Sequence, residues 1–339
     1  MALSLICTCP SCKSYSLKRY EAQFLVLFDT MTTIVGYEES REEFAGYVQV
    51  IYGSLEESHR LYDIYNDYDG LSNIKTINDN AGKTPVKVDR RIIDLLLFAK
   101  EEYTKTRGKT NVAFGSVLEI WHEYRERGID NPEDAEVPPV EILREAGRHT
   151  DINQVIIDEK ASTVFLKDPE MSLDVGAIAK GYAVEQAALI AIQNGFQSGL
   201  ISVGGNVRAV GRKNGSGALW NVGVHNPDET GGRKNLTVAY LSDMSLVTSG
   251  DYERYYTVGD KKYHHIIDPE TLFPAEYFTA VTILCKDSGI ADALSTAVFN
   301  MPFEQGLELI ESMPDTEALW VFKNGEIKYS AGFLAYTEH

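Results

Sequence analysis

The sequence predicts an α+β fold, and three observations carry that prediction. Apolar residues recur at helical spacing through much of the first half. Short β-branched and aromatic runs separated by turn residues dominate the second half. The two kinds of segment do not alternate regularly, which argues against a doubly wound parallel sheet, and no internal repeat is present.

The elements follow in order. Residues 1–23 read as a polar N-terminus. Phe24–Phe28 is a short strand, and Asp29–Val35 a second extended piece. From Ser40 the period becomes helical, with Phe44, Val48, Ile51 and Leu55 on one face and Ser40 with Glu43 as a capping-box signature. Asn66–Lys83, rich in Asn, Asp and Gly, is expected to be a long loop. Helices are predicted at Ile92–Thr106, Ser116–Arg127 and Val140–Ala146, then strands at Gln154–Ile157 and Thr163–Lys167. A helix over Ala177–Asn194 closes on Gly195, and another over Ser288–Asn300 is stopped by Pro302. Extended runs at Gly199–Val203, Trp220–Val224, Leu236–Leu241, Tyr255–Val258, Phe278–Cys285 and Ala318–Phe322 supply the sheets.

The 339 residues contain 32 basic and 50 acidic side chains, a formal net charge of −18. That field repels a nucleic-acid backbone, so DNA and RNA are excluded as expected partners. A small anion would need a local device, such as a helix N-terminus, a lysine or a bound cation. Cys285 lies in an apolar run and reads as a small buried hydrophobe. Cys7, Cys9 and Cys12 lack a nearby fourth ligand for a tetrahedral metal site. Ala2–Cys7 looks instead like the end of an export segment finishing at a lipid-bearing cysteine, although it lacks a basic start and is short for a full apolar region. The expectation is an extracytoplasmic, lipid-tethered protein, with a cytoplasmic location as the alternative. No internal apolar run is long enough for a transmembrane helix.

Five segments carry chemistry. Asp174–Tyr182 places glycines at the mouth of a helix, with Lys180 in its first turns; it can receive phosphate or merely pack closely on a strand. Ser202–Val207 runs a strand into Gly204-Gly205, which admits a flat ring or pyrophosphate, or simply makes a tight hairpin. Thr248–Tyr255 reads as a hydroxyl-rich turn. His265, before the turn-forming Asp268-Pro269, is a candidate general base, the alternative being a structural histidine. Asp292 and Thr296, at i and i+4 of a helix, share a face and offer the oxygen ligands that suit Mg²⁺.

Together these segments resemble the ApbE family, the FAD:protein FMN transferases, with Asp174–Tyr182, Gly204-Gly205-Asn206, Thr248–Tyr252, His265-x-x-Asp268-Pro269-x-Thr271 and Asp292-x-x-x-Thr296 in family order. The resemblance spans about Phe24 to Phe333. It implies an ApbE-like, T-fold-related α+β fold of mixed sheets and packed helices, two interleaved parts with the active site between them, over residues 24–333, with 334–339 as a tail and 1–23 as an export remnant or flexible N-terminus. It implies FAD and Mg²⁺ as ligands, and FMN transfer to a threonine or serine hydroxyl with release of AMP. The implied acceptor carries Asp-x-x-Ser/Thr-Gly-Ala/Ser-Ser/Thr, as in a flavin-carrying subunit of a membrane redox complex; this chain lacks that motif.

By the same resemblance, Asp292, Thr296 and the Ala177 carbonyl hold Mg²⁺, and His265 takes the proton of the incoming hydroxyl. Lys180 and the backbone from Ala177 to Gly181 contact the phosphates. Gly204, Gly205, Asn206, Ser249, Gly250 and Asp251 line the flavin cleft, Tyr65 is a stacking platform, and Glu185 meets the adenosine end. Three departures bear on pocket shape: Phe28-Asp29-Thr30 for Met-Gly-Thr, Asn111-Val112-Ala113 for Asp-Pro-Thr, and Leu272 for the glycine after Asp-Pro-x-Thr. The competing readings are an Mg²⁺-dependent FAD pyrophosphatase and a non-catalytic flavin-binding lipoprotein.

Overall fold

The structure, a computed structural model, describes residues 17–25, 27–214, 217–228 and 232–337. Cys7 and the export-like segment lie outside the described residues. The N-terminal boundary expected at residue 23 falls within a strand: β1 (Lys18–Phe24) pairs antiparallel with β2 (Thr32–Glu38). Phe24–Phe28 is therefore not a strand. The chain leaves the sheet after Phe24, and Phe28 and Asp29 take left-handed φ of 54° and 51°. Asp29 thus adopts the conformation that glycine normally supplies.

Helix α1 (Arg41–Tyr62) starts where Ser40 Oγ accepts the Glu43 N–H at 3.1 Å. The expected long loop contains α2 (Ile74–Asp79), capped by Asn73 in a box with Thr76 and buried through Ile74 and Ile77. Polar composition hid this helix, because its apolar face is only two residues wide. A small sheet of β3 (Val86–Lys87), β4 (Val155–Asp158) and β5 (Thr163–Leu166), ordered β3-β5-β4, sits beside α3 (Arg90–Lys105). α4 (Gly115–Asp130) and α5 (Val140–Ala146) follow the predicted pattern.

The second half builds the main sheet. α6 (Ala179–Gln193) ends before Gly195 at φ +104° and leads into β6 (Gly199–Val203) and β7 (Asn206–Val210). β8 (Trp220–His225) and β9 (Asn235–Leu241) form a separate hairpin. The turn of the expected hydroxyl-rich segment falls at 251–254, and the segment's first three residues belong to β10 (Ser245–Gly250). Its polar side chains are satisfied within the fold: Thr248 and Thr282 hydroxyls are 2.8 Å apart, as are those of Ser249 and Ser295. β11 (Tyr255–Val258) pairs with β12 (Lys261–His264), and β13 (Phe278–Cys285) precedes α7 (Ser288–Phe299). Pro302 both stops α7 and opens α8 (Phe303–Glu311), a helix hidden behind its role as a breaker. β14 (Glu317–Phe322) and β15 (Ile327–Tyr329) complete the sheet. The expected tail begins inside a 3-10 turn, Phe333–Tyr336, whose Phe333 is fully buried.

The eight-stranded sheet runs β1-β2-β6-β7-β10-β13-β14-β15, antiparallel throughout. Strand alternation divides its side chains between two cores. Ile34, Ile201 and Val203 pack in the core that includes α1 and α6, while Val281, Ile283 and Trp320 pack with α7 and α8. Ala280, Leu284 and Leu319 face the other way, against the β8–β9 hairpin. β13 is buried on both faces, which explains its unbroken apolar run. A smaller core of Val117, Trp121, Tyr256 and Ile267 joins α4 to the β11–β12 hairpin and the loop beyond it. That unit forms one wall of a cleft; the main sheet and the starts of α6 and α7 form the other.

Candidate functional site

The cleft has a volume of about 560 Å³. His265 borders it, just past β12, where the chain has left the ladder. Its Nδ1 lies 3.2 Å from the Arg254 carbonyl, which also accepts the His265 backbone N–H at 3.0 Å. A carbonyl only accepts, so the ring proton sits on Nδ1 and Nε2 keeps its lone pair. Burial, reinforced by the charges of Lys180 and Arg254, pushes the imidazole pKa down to about 3. His264 instead turns into the core, its Nε2 2.8 Å from the Ala275 carbonyl, as strand alternation requires.

Across the cleft, Asp292, Thr296 and Ala177 line one region with Lys180. Asp292 is buried, and its Oδ2 accepts the Gly181 N–H at 2.8 Å. Burial raises its carboxyl above the usual carboxylate range, while Lys180 and the Gly181 N–H pull it back. The carboxylate retains unused lone pairs, and the Thr296 hydroxyl has no protein partner among the described residues. This set of hard oxygens fits a small divalent cation. Gly204 and Gly205 line the cleft at φ +53° and +89°, the turn of the β6–β7 hairpin. A side chain at Gly204 would collide with Thr30. Asn206 beside them is buried, and its side chain lies close enough to Asp292 to help hold that carboxyl's pKa down, although its Nδ2 makes no hydrogen bond of full geometry among the described residues. Ser249 and Gly250 border the same space. Tyr65 is 58% exposed at the rim, its hydroxyl 3.2 Å from His122 Nδ1 and its ring 5.3 Å from the His122 imidazole.

Three expected site residues do not join the cleft as expected. Glu185 is buried behind it, its Oε2 holding Arg208 Nε at 3.0 Å and the Ser288 N–H at 2.9 Å. Asp251 pairs with Lys323 on the outer side. Gly181 serves helix packing: a side chain there would run into the Ser288 carbonyl and Asp292, and its N–H orients the carboxylate. Other lining residues escaped the sequence, notably Arg125, Arg254 and His122. Among the described residues neither arginine, nor Lys180, forms an ion pair. Their charges act instead on two buried carboxyls of the same cleft, Arg125 and Arg254 on Asp174 and Lys180 on Asp292, and so gather cations and acids around one space in a chain of charge −18. Arginine-by-arginine reading could not find them, since α4 and the segment after β10 meet only in the fold.

Leu272, at the position where the family resemblance leads one to expect glycine, takes a left-handed φ of +64°. The turn after His265 thus asks a side-chain-bearing residue for a glycine-like conformation, at a cost of about 1 kcal/mol in backbone strain. The Trp121 indole N–H donates to the Leu272 carbonyl at 2.9 Å and helps to hold it.

Residues 28–320 match the model of the ApbE family. The chain belongs to the ApbE family. The FAD:protein FMN transferase of Treponema pallidum (strain Nichols) is 32% identical over 344 residues, 97% of this chain and 92% of that protein. The FAD:protein FMN transferase of Klebsiella pneumoniae (strain 342) is 31% identical over 282 residues, 80% and 84% of the two chains. The crystal structure of the ApbE protein from Thermotoga maritima superposes with a TM-score of 0.82 at 30% identity, over 95% of this chain and 100% of that one. Like the relatives named for that activity, this ApbE-family chain is a transferase. No helix among its described residues is long and apolar enough to cross a membrane.

Proposed function

We propose that this chain transfers the FMN moiety of FAD to a threonine or serine hydroxyl of an acceptor protein, releasing AMP, with Mg²⁺ as cofactor. The observation that supports this most is the convergence, in one cleft, of a neutral imidazole, three cations and a set of oxygen ligands. The acceptor is proposed to carry Asp-x-x-Ser/Thr-Gly-Ala/Ser-Ser/Thr.

In this reading the dinucleotide lies across Gly204 and Gly205, with Tyr65 against a ring face and Asn206 beside both the ligand and Asp292. Lys180 and Arg254 meet the diphosphate charge. That charge offsets the two cations that depress His265, and so raises the imidazole towards useful basicity. His265 Nε2 accepts the proton of the acceptor hydroxyl as its oxygen bonds to the FMN phosphorus. The bond from that phosphorus to the bridging oxygen breaks, and AMP leaves with the oxygen. Asp292, Thr296 and the Ala177 carbonyl would hold Mg²⁺, which supplies charge neutralisation on the departing phosphate. The extracytoplasmic tether at Cys7 belongs to the same proposal.

The test combines purified protein, FAD, Mg²⁺ and an acceptor bearing Asp-x-x-Thr-Gly-Ala-Thr, read by acceptor mass and AMP release. The expected outcome is an acceptor heavier by FMN, with activity lost by about 10²-fold or more in His265→Ala and Asp292→Ala. AMP and free FMN with an unmodified acceptor would replace the proposal with a pyrophosphatase. Retained FAD without AMP would leave a binding protein.

A further inference from the structure

The short segment between α3 and α4 touches three separate parts of the site. Lys109 Nζ lies 2.8 Å from Asp268 Oδ1, and their side chains are 7% and 3% exposed. Asp268 anchors the turn that follows His265: its N–H donates to the Phe273 carbonyl at 2.9 Å, and its carbonyl accepts the Leu272 N–H at 2.8 Å. The next residue, Thr110, donates its hydroxyl to the Ala293 carbonyl at 2.7 Å. Ala293 adjoins Asp292 on α7. Two residues further on, the Val112 carbonyl accepts the Asp174 N–H at 2.8 Å, where the segment leading to Ala177 and Lys180 begins.

A buried ion pair is a poor device for stability alone, because desolvation offsets much of the attraction. Its use is geometric, since it tolerates few alternative placements. The turn it grips is also strained at Leu272, and such strain persists only where neighbours over-determine the backbone. The second carboxylate near Lys109, Glu270 at 3.1 Å, is 75% exposed and adds little. Lys109 borders the cleft, but its charge is committed to Asp268.

We infer that Lys109 and Thr110 are positioning residues: together they set the spacing between His265 on one wall and Asp292 with Thr296 on the other. Lys109 holds the His265 turn, and Thr110 holds the helix carrying the oxygen ligands. This inference rests on the transferase reading for its kinetic consequences. A base and an oxygen-ligand set contributed by different elements must be held to within an ångström, and a misplacement of that size costs about 10²-fold in rate.

The experiment uses the full chain with Lys109→Met, Lys109→Arg and Thr110→Val, measuring kcat, KM and Kd for FAD, and thermal midpoint. The His265 tautomer is read by ¹⁵N NMR of histidine-labelled protein, its signal assigned by its loss in His265→Gln. Lys109→Met is expected to lower kcat by about 10²-fold, keep the Kd for FAD within about twofold, and mix the His265 tautomers. Lys109→Arg restores part of kcat, and Thr110→Val, which removes only a hydroxyl, lowers kcat less but in the same sense. The inference is overturned if Lys109→Met leaves kcat and tautomer unchanged while the midpoint falls. It is equally overturned if the Kd for FAD weakens at constant kcat, since Lys109 would then be a substrate ligand. If the wild-type protein proves to have no transfer activity, the tautomer shift still decides the positioning role by itself.

Discussion

Glu38 and His265 are both driven towards neutrality by burial, and so they respond to pH in opposite directions. Glu38 closes β2 with one carboxyl oxygen lacking any partner, and burial with Glu43 and Glu39 nearby raises it to about 7. Its native pKa exceeds the unfolded value, so its contribution is fully favourable below about 4.5 and is lost as pH rises through 7. Glu38→Gln should therefore stabilise the fold at pH 8, by on the order of 1 kcal/mol after solvent screening, and so raise the thermal midpoint there while changing little at pH 4. A pH series of melting curves checks this; equal shifts at both pH values would refute the assignment. His265 is the reverse case. Its depressed pKa makes its contribution present above about 6.5 and lost as pH falls towards 3. The same neutrality that costs nothing at pH 7 leaves it able to accept a proton.

At the scale of elements, the crossing of α6 and α7 decides where the oxygen ligands stand. Gly181 lets the two helices approach until its N–H reaches Asp292, and no larger residue fits between it and Ser288. Gly181→Ala is expected to lose about 1–3 kcal/mol from overpacking and to reduce activity beyond that loss, because Asp292 moves with α7. Urea unfolding alongside turnover separates the two effects, and a variant of wild-type stability and rate would show that the contact is slack. Sequence periodicity found both helices nearly to the residue, and the Gly204-Gly205 turn as well. It missed α2 and α8, one for want of a wide apolar face and the other because Pro302 reads as a stop. It began the turn of Thr248–Tyr255 three residues early, because the hydroxyls of Thr248 and Ser249 find partners only across the fold.

Across the whole molecule, Glu185 shows how a misplaced site residue becomes informative. It binds Arg208 of β7 and the Ser288 N–H of α7 from within α6, tying the sheet to both helices of the cleft. Arg208→Met should cost about 3–5 kcal/mol by leaving a buried carboxylate alone, measured by chemical denaturation. A loss below about 1 kcal/mol would mean that Glu185 takes up a proton instead. The net charge of −18 is not spread evenly: Arg125, Arg254 and Lys180 gather at the cleft beside Asp174 and Asp292, without forming a direct ion pair among the described residues.

Local chemistry was enough to determine the α+β class, most helices and strands and the family resemblance, and to single out His265, Lys180, Asp292 and Thr296 as candidates that the fold places on one cleft. Those rest on periodicity, capping and short spacings, which act over a few residues. Tertiary structure alone decided that Glu185 and Asp251 face away from the cleft, that Arg125 and Arg254 face it, and that Lys109 grips Asp268. Each of these depends on which distant backbone segment comes to lie alongside, and long-range pairing is set by burial of the whole sheet rather than by neighbours in the chain.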